Sequence, residues 1–190
     1  MNRRNLLKGL AAVPLLITPA WRGWAAAPVP VRGSVNVEQL QKNWKEFLAP
    51  GADVALTTEP LKRSNEEWKK LLAPAQYNVL REAGTERAAS SPLNDEKRPG
   101  VFVCVGCSLP LFTSAMKYDS GTGWPSFFTA IPGAFATKKD GFLIYTRTEY
   151  HCVRCGGHHG HVFDDGPPPT GKRWCNNGVA LRFIPKTGKA

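Results

Sequence analysis

The sequence lacks any apolar run of the roughly 18–20 residues needed to cross a bilayer, which argues against an integral membrane protein. It also lacks a basic stripe with interleaved aromatics, the usual footprint of nucleic-acid binding. The formal charge is +10, but Arg3, Arg4, Lys8 and Arg22 all fall in the first 27 residues, which hold no acid. The remaining +6 is scattered among acids, as in Asp95-Glu96-Lys97-Arg98, and reads as a soluble basic surface rather than a nucleic-acid interface. There is no internal repeat beyond two C-x-x-C pairs, and no low-complexity tract beyond Pro167-Pro168-Pro169. Glycine and proline together make 34 of 190 residues, more than average but short of the about 25–30% that marks disorder. With 42% apolar residues a packed core is possible, and the length suits one turn-rich domain with an appendage.

The appendage begins with an address. Residues 1–27 read as a signal peptide: a charged stretch with a twin arginine (Arg3-Arg4), a weakly apolar stretch broken by Pro14 and Pro19, and small residues at Ala25-Ala26-Ala27. The segment is similar to a bacterial Tat signal, so the expected location is the periplasm; a short amphipathic or membrane-anchoring helix is the alternative. Tat export carries folded proteins, and folding first would protect a thiolate metal site from a disulfide-forming compartment. Residues 28–63 are read as an N-terminal extension, with one helix expected over Val37–Leu48, and residues 64–190 as the main domain.

In that domain Ser64-x-x-Glu67 is a capping-box signal that opens a short helix. A second is expected over Ala75–Ala83, stopped by Gly84. After Gly100 the pattern becomes short strands bounded by Gly, Pro, Asp or Asn: Gly100–Val103, Phe135–Ala136, Phe142–Tyr145, Thr148–His151, His161–Phe163 and Trp174–Phe183. Asp140-Gly141 is a hairpin signal. The expected class is α+β, mainly β, with antiparallel strands.

Five cysteines is an odd number. Four stand as Cys104-x-x-Cys107 and Cys152-x-x-Cys155, with 44 residues between the pairs, and Cys175 is alone. Two C-x-x-C turns supply the four thiolates of a closed tetrahedral zinc site, which would pin two distant hairpins and leave no open position for chemistry. Redox dithiols, disulfides, an iron–sulfur cluster, or ligation by His158 and His161 are the alternatives. If Arg173 to Phe183 is one strand, then Arg173, Cys175 and Asn177 share a face, and a guanidinium two residues from sulfur favours thiolate. A buried inert cysteine is the alternative reading. His158, His159 and His161 sit among glycines on an expected loop and suggest proton transfer near neutral pH, although metal binding or plain exposure would suit them equally. Gly121-Thr122-Gly123-Trp124 is a glycine-rich turn presenting an indole, either core or a lid over an apolar group.

These residues, read together, closely resemble the peptide-methionine (R)-S-oxide reductases, the B-type methionine sulfoxide reductases. The resemblance runs from about Ser64 to Pro185. It is carried by Thr85-Glu86-Arg87, Ser91-Pro92-Leu93-Asn94, Arg98-Pro99-Gly100 and Ser120-Gly121-Thr122-Gly123-Trp124-Pro125-Ser126-Phe127. Further on it rests on Gly157-His158-His159-Gly160-His161-Val162-Phe163-Asp164-Asp165-Gly166-Pro167, Arg173-Trp174-Cys175-Asn176-Asn177 and both C-x-x-C pairs. The resemblance implies two antiparallel β-sheets with short helices, and one structural Zn2+ on Cys104, Cys107, Cys152 and Cys155. It implies Cys175 as the nucleophile toward oxidised peptides and proteins, and His158, His161 and Asn177 as active-site polar residues. Asp165 and Arg173 would organise the site, and Trp124 would meet the sulfoxide methyl group. Many relatives carry a resolving cysteine where Thr122 stands here. A hydroxyl cannot resolve a sulfenic acid, so the expected reductant is an external thiol, in the periplasm a thioredoxin-like protein. The rival readings are a non-catalytic zinc-stabilised binding module and a thiol–disulfide oxidoreductase that uses its C-x-x-C pairs.

Overall fold

The computed structural model describes residues 35–142 and 145–187. The signal-peptide reading of residues 1–27 and the start of the extension lie outside the described residues.

The helices are short and lie at the start, as expected. Asn36 caps α1 (Val37–Lys42), its side chain accepting from the Gln39 N–H. The single helix expected to Leu48 breaks at Asn43 and continues as a 3-10 turn over Trp44–Phe47. Helix α2 (Asn65–Leu71) starts at the expected capping box, with the Ser64 hydroxyl accepting from the Glu67 N–H and the Glu67 carboxylate accepting from the Ser64 N–H. Helix α3 (Pro74–Glu82) takes Pro74 at its first position, where a missing N–H does no harm. It ends on Ala83 in the left-handed region, and Gly84 follows because a Cβ there would lie 1.9 Å from Asn78 Oδ1.

The strands are β1 (Gly100–Cys104), β2 (Pro110–Thr113), β3 (Lys117–Tyr118), β4 (Ser126–Phe127), β5 (Phe135–Phe142), β6 (Tyr145–Cys152), β7 (His158–Phe163), β8 (Arg173–Asn176) and β9 (Leu181–Pro185). They form two antiparallel sheets, β2-β1-β9 and β3-β4-β8-β7-β6-β5. An aromatic layer joins the sheets. Phe112 of β2 stacks on Phe127 of β4 at 3.9 Å and packs near Phe135 and Trp174 of the larger sheet. Phe102 of β1 meets the same Phe127 edge-on at 5.1 Å. Phe102, Phe112 and Phe127 are fully buried, so this contact carries much of the apolar burial that holds the sheets together. The extension is part of this body: Leu40, Trp44, Phe47, Leu48, Val54 and Leu61 pack against the core.

Three expectations are corrected. Asp140-Gly141 is not the turn; it lies inside β5, where Asp140 pairs with Arg147, and the reversal falls between Phe142 and Tyr145. The run Trp174–Phe183 is not one strand. It breaks at Asn177 into a 3-10 turn (Gly178–Ala180), with β8 in one sheet and β9 in the other. His158 and His159, expected on a loop, lie on strand β7 with His161; a bulge there, with Tyr150 opposite Gly160 and His151 opposite His158, leaves His159 as the extra residue and turns it fully into the core. Burial draws the His159 imidazole down to about 3, so it carries no proton near neutrality.

Candidate active site and metal site

Each C-x-x-C pair closes a strand with the same backbone turn. The Cys104 N–H donates to the Leu109 carbonyl and the Ser108 N–H donates back to the Cys104 carbonyl; Cys152 repeats this with Gly157 and Gly156. Ser108 and Gly156 both take positive φ, 58° and 68°, to complete the turn. One knuckle ends β1 of the small sheet and the other ends β6 of the large sheet. The paired hairpins therefore belong to different sheets, and a bound ion would bridge them.

The four sulfurs lie within 4.8 Å of one another, and all four cysteines are buried. Cys104–Cys155 and Cys107–Cys152 are 3.6 Å apart, far beyond the about 2.05 Å of a disulfide. They are close to the about 3.8 Å edge of a tetrahedron with about 2.3 Å arms, as zinc thiolates need. Hydrogen bonds from Cys104 draw the Cys107 thiol far below its ordinary range, and those with Cys107 push Cys104 well above it. This buried set of four close sulfurs suits a divalent cation. His158 and His161 are engaged elsewhere, with Glu149 and Asp140, and offer no fifth ligand. A strap from the extension crosses both knuckles, its Ala55 N–H donating to Ser108 and its Leu61 N–H to Arg154.

Cys175 sits on β8, with Ser126 of β4 and His161 of β7 opposite it in register. Trp174 and Asn176 point inward, Trp174 edge-on to Tyr150 at 4.9 Å and Asn176 Oδ1 accepting from the Tyr150 hydroxyl at 2.9 Å. Cys175 and Arg173 therefore face out, as the strand-face argument expects. Cys175 opens into a cavity of about 140 Å³ that Trp124, His161, Phe163, Asn177, Thr85 and Arg147 help to line. The close approach of β7 and β8 needs Gly160, where a Cβ would lie 2.0 Å from the Cys175 carbonyl oxygen.

The other expected residues take different places. Arg173 makes a two-pronged pair with Asp165, 2.8 and 2.9 Å, and lies 4.3 Å over the Phe163 ring. Asp165 is largely exposed, so it steers the guanidinium from outside. Asn177 is buried with its amide committed to backbone: Oδ1 accepts from the Glu86 N–H and Nδ2 donates to the His159 carbonyl. His158 does not line the cavity. It lies behind His161, rings edge-on at 5.5 Å, and pairs with buried Glu149 at 3.0 Å. Of the two, His161 is the one brought to Cys175, with Nε2 held 3.1 Å from Asp140.

Arg173 pulls the Cys175 thiol down as the sequence reading supposes, but burial pushes it up by more and the net shift is upward. Burial also draws His161 below its usual value, against the opposing Asp140 bond. The resting pair is thus a neutral thiol beside a neutral imidazole.

Glu86 received no role from the sequence. Its carbonyl accepts from the Trp124 indole at 3.2 Å, its N–H holds Asn177, and its carboxylate accepts from the Gly178 and Val179 N–H groups at 2.5 and 2.9 Å. One residue thus anchors two cavity walls. No local pattern could reveal this, because the partners lie 38 to 93 positions away.

Comparison with known proteins agrees with this geometry. The family described as SelR domain matches residues 72–185. The chain belongs to the SelR-domain family. Its relatives include the peptide methionine sulfoxide reductase MsrB of Methanosarcina barkeri, 49% identical over 67% of this chain and 91% of the relative. The enzyme of the same name from Agrobacterium fabrum is 46% identical over 68% of this chain and 97% of its own. The chloroplastic peptide methionine sulfoxide reductase B1 of Arabidopsis thaliana is 52% identical over 78% of this chain and 66% of its own. The family match includes both knuckles, Glu86, Trp124 and Cys175, and leaves most of the strap outside it.

For this member of the family, Glu86→Ala should lower kcat/KM by up to about 100-fold by loosening both walls. It should leave the metal content at the distant knuckles unchanged. Steady-state kinetics with metal analysis checks this; wild-type kinetics in the variant would remove the anchoring role.

Proposed function

We propose that this chain repairs oxidised peptides and proteins by reducing methionine-(R)-sulfoxide, with Cys175 as the nucleophile. Family membership carries the reaction class, thiol-dependent methionine sulfoxide reduction. The single observation that carries the assignment to Cys175 is its position: four of five cysteines close on one another, and the fifth opens into a cavity between Trp124 and His161.

The Cys175 sulfur attacks the sulfoxide sulfur, and the S–O bond breaks as the oxygen passes to Cys175. Methionine leaves reduced by two electrons, and Cys175 becomes a sulfenic acid, oxidised by two. The proton lost by the thiol equals the proton gained by the oxygen, so no external acid is consumed. His161, neutral and opposite Cys175, is suited to carry that proton. Arg173 favours sulfur charge as it develops, and Asp165 fixes the guanidinium. Trp124 offers an apolar wall to the sulfoxide methyl group. Asn177 and His158 act as positioning residues, through backbone contacts and through His161.

Cys104, Cys107, Cys152 and Cys155 would hold one zinc ion in a structural role, bridging the sheets. With those sulfurs engaged, an external thiol attacks the sulfenic sulfur, water leaves, and a second thiol on the donor releases Cys175 from the mixed disulfide. We assign this donor to a thioredoxin-like protein facing the periplasm, with this chain exported there by the Tat route. The twin arginine supports the export reading.

Reduced, zinc-loaded protein without added reductant should yield about one methionine per chain from a peptide methionine-(R)-sulfoxide and none from the S epimer. Chromatography of the products checks this, and Cys175→Ser should yield none. No methionine from folded, metal-loaded wild type would move the reading to a binding module. Metal analysis should find one zinc per chain, and Cys104→Ser should lose it, with unfolding free energy falling by more than about 3 kcal/mol. Undiminished stability in a zinc-free variant would remove the structural role. Fractionation should find the mature chain in the periplasm, and changing Arg3-Arg4 to Lys-Lys should retain it inside the cell; unchanged export would point to another route.

A further inference from the structure

Asp140, which the sequence offers only as half of a turn signal, reaches His161 instead. Lys138, Glu149, His161 and Cys175 follow one another in register across β5, β6, β7 and β8, and Asp140 pairs with Arg147 one step along. Strand alternation puts all six on one face of the larger sheet. Asp140 Oδ2 lies 3.1 Å from His161 Nε2 and 2.9 Å from Arg147 Nη2. His161 is the cross-strand partner of Cys175, and both line the same cavity with Arg147. The imidazole is 13% exposed, so its bond to Asp140 is largely shielded from water.

Counting hydrogens shows what this contact does. An ionised carboxylate only accepts, so the hydrogen in the Asp140–His161 bond belongs to Nε2. A neutral imidazole has one N–H, so Nδ1 then carries the lone pair. We infer that Asp140 is a positioning residue that sets His161 in the Nε2–H tautomer, making Nδ1 the nitrogen that exchanges a proton with Cys175 and substrate. Nδ1 takes the thiol proton as sulfur attacks and returns it to the sulfoxide oxygen as the S–O bond breaks. Asp140 itself neither gains nor loses a proton; it orients the ring and faces the imidazolium while it exists. Arg147 holds the carboxylate from its other side. This deepens the reading of Cys175 as nucleophile with His161 as its proton carrier, and rests on it.

The other charges around the ring fit a neutral imidazole beside an ionised partner. Asp140 faces it from β5, Arg147 and Glu149 from β6, His158 from its own strand and Cys175 from β8. Lys138 is turned to Glu149. Hydrogen bonds from His161 and Arg147 hold the Asp140 carboxyl below its usual range, so it is ionised at neutral pH. Burial pushes the Glu149 carboxyl up, but His158 and Lys138 bring it lower on balance. Burial draws His161 down by more than the Asp140 bond raises it, and Arg147 and His158 add to the fall. Asp140 is the neighbour that favours the charged ring, so neutralising it lowers the His161 midpoint further.

The test uses reduced, zinc-loaded protein carrying isotope-labelled histidine. Long-range proton–nitrogen correlation spectra separate Nδ1 from Nε2, and His161→Gln identifies the His161 signals by their loss. At neutral pH the wild-type ring should carry its hydrogen on Nε2. Asp140→Asn should weaken that preference and lower the His161 titration midpoint by about one pH unit. Methionine formation in a single turnover should slow on the order of 100-fold, with the half-saturating sulfoxide concentration little changed. A ring hydrogen on Nδ1 in the wild type overturns the inference, whether or not the variant folds. An unmoved midpoint or an unaltered rate in folded Asp140→Asn also overturns it, since a merely structural role would slow turnover without moving the midpoint. The two readings fail separately. The Nε2–H tautomer with no methionine from wild type sinks only the reductase reading, whereas full methionine yield with the hydrogen on Nδ1 sinks only the role of Asp140.

Discussion

The closure of four sulfurs between β1 and β6 is the constraint on which the remainder of the structure depends. Among the described residues the two sheets share no backbone ladder, so they are related through side chains, connecting chain and this cluster. From the cluster, one path runs along β6 to β7 to β8. The other runs from β1 to β9 and back through Gly178–Ala180 to Asn177, two residues past Cys175. The reactive strand is thus fixed from both ends by elements that start at the same four atoms. A buried aromatic layer alone would hold the sheets together with less directional control, because apolar contact is non-directional.

Around Cys175 two effects oppose each other, and burial prevails. The guanidinium of Arg173 is close and oriented by Asp165, which should favour thiolate. Yet the cavity is small, its walls include Trp124 and Phe163, and Arg173 spends part of its field on Asp165 and the Phe163 face. The result is a thiol raised above its ordinary value and an imidazole lowered below its own. Two neutral partners suit a reaction in which sulfur must lose, and oxygen must gain, one proton in the same step. A preformed ion pair would favour the nucleophile at the expense of the acid.

The class and the four-cysteine cluster were legible in the sequence because their signals are local: C-x-x-C is one turn and S-x-x-E is one cap. The division into two sheets came from the family resemblance, and the short strands β2, β3 and β4 carried no alternating pattern long enough to announce them. What failed was whatever depended on register or on a neighbour. Asp140-Gly141 has turn chemistry, but pairing with Arg147 extends the strands beyond it. Trp174–Phe183 is apolar at both ends, and its Asn177-Gly178 dipeptide is the turn signal that the strand reading overrode: there Asn177 turns to the His159 backbone and the chain crosses to the other sheet. Among the histidines, a bulge at His159 decides which one enters the core, and a bulge is set by pairing with β6 rather than by the local sequence. Glu86 was illegible for a plainer reason: its role consists entirely of bonds to residues distant in sequence.

With four of the five cysteines closed on one another, Cys175 has no second free thiol in the chain. On the proposed reading, reducing power therefore enters from outside, through the cavity into which Cys175 opens. The same opening between Trp124 and His161 must then admit methionine sulfoxide and, after methionine leaves, a donor thiol. An exposed approach to a half-buried sulfur fits that double use better than a closed pocket.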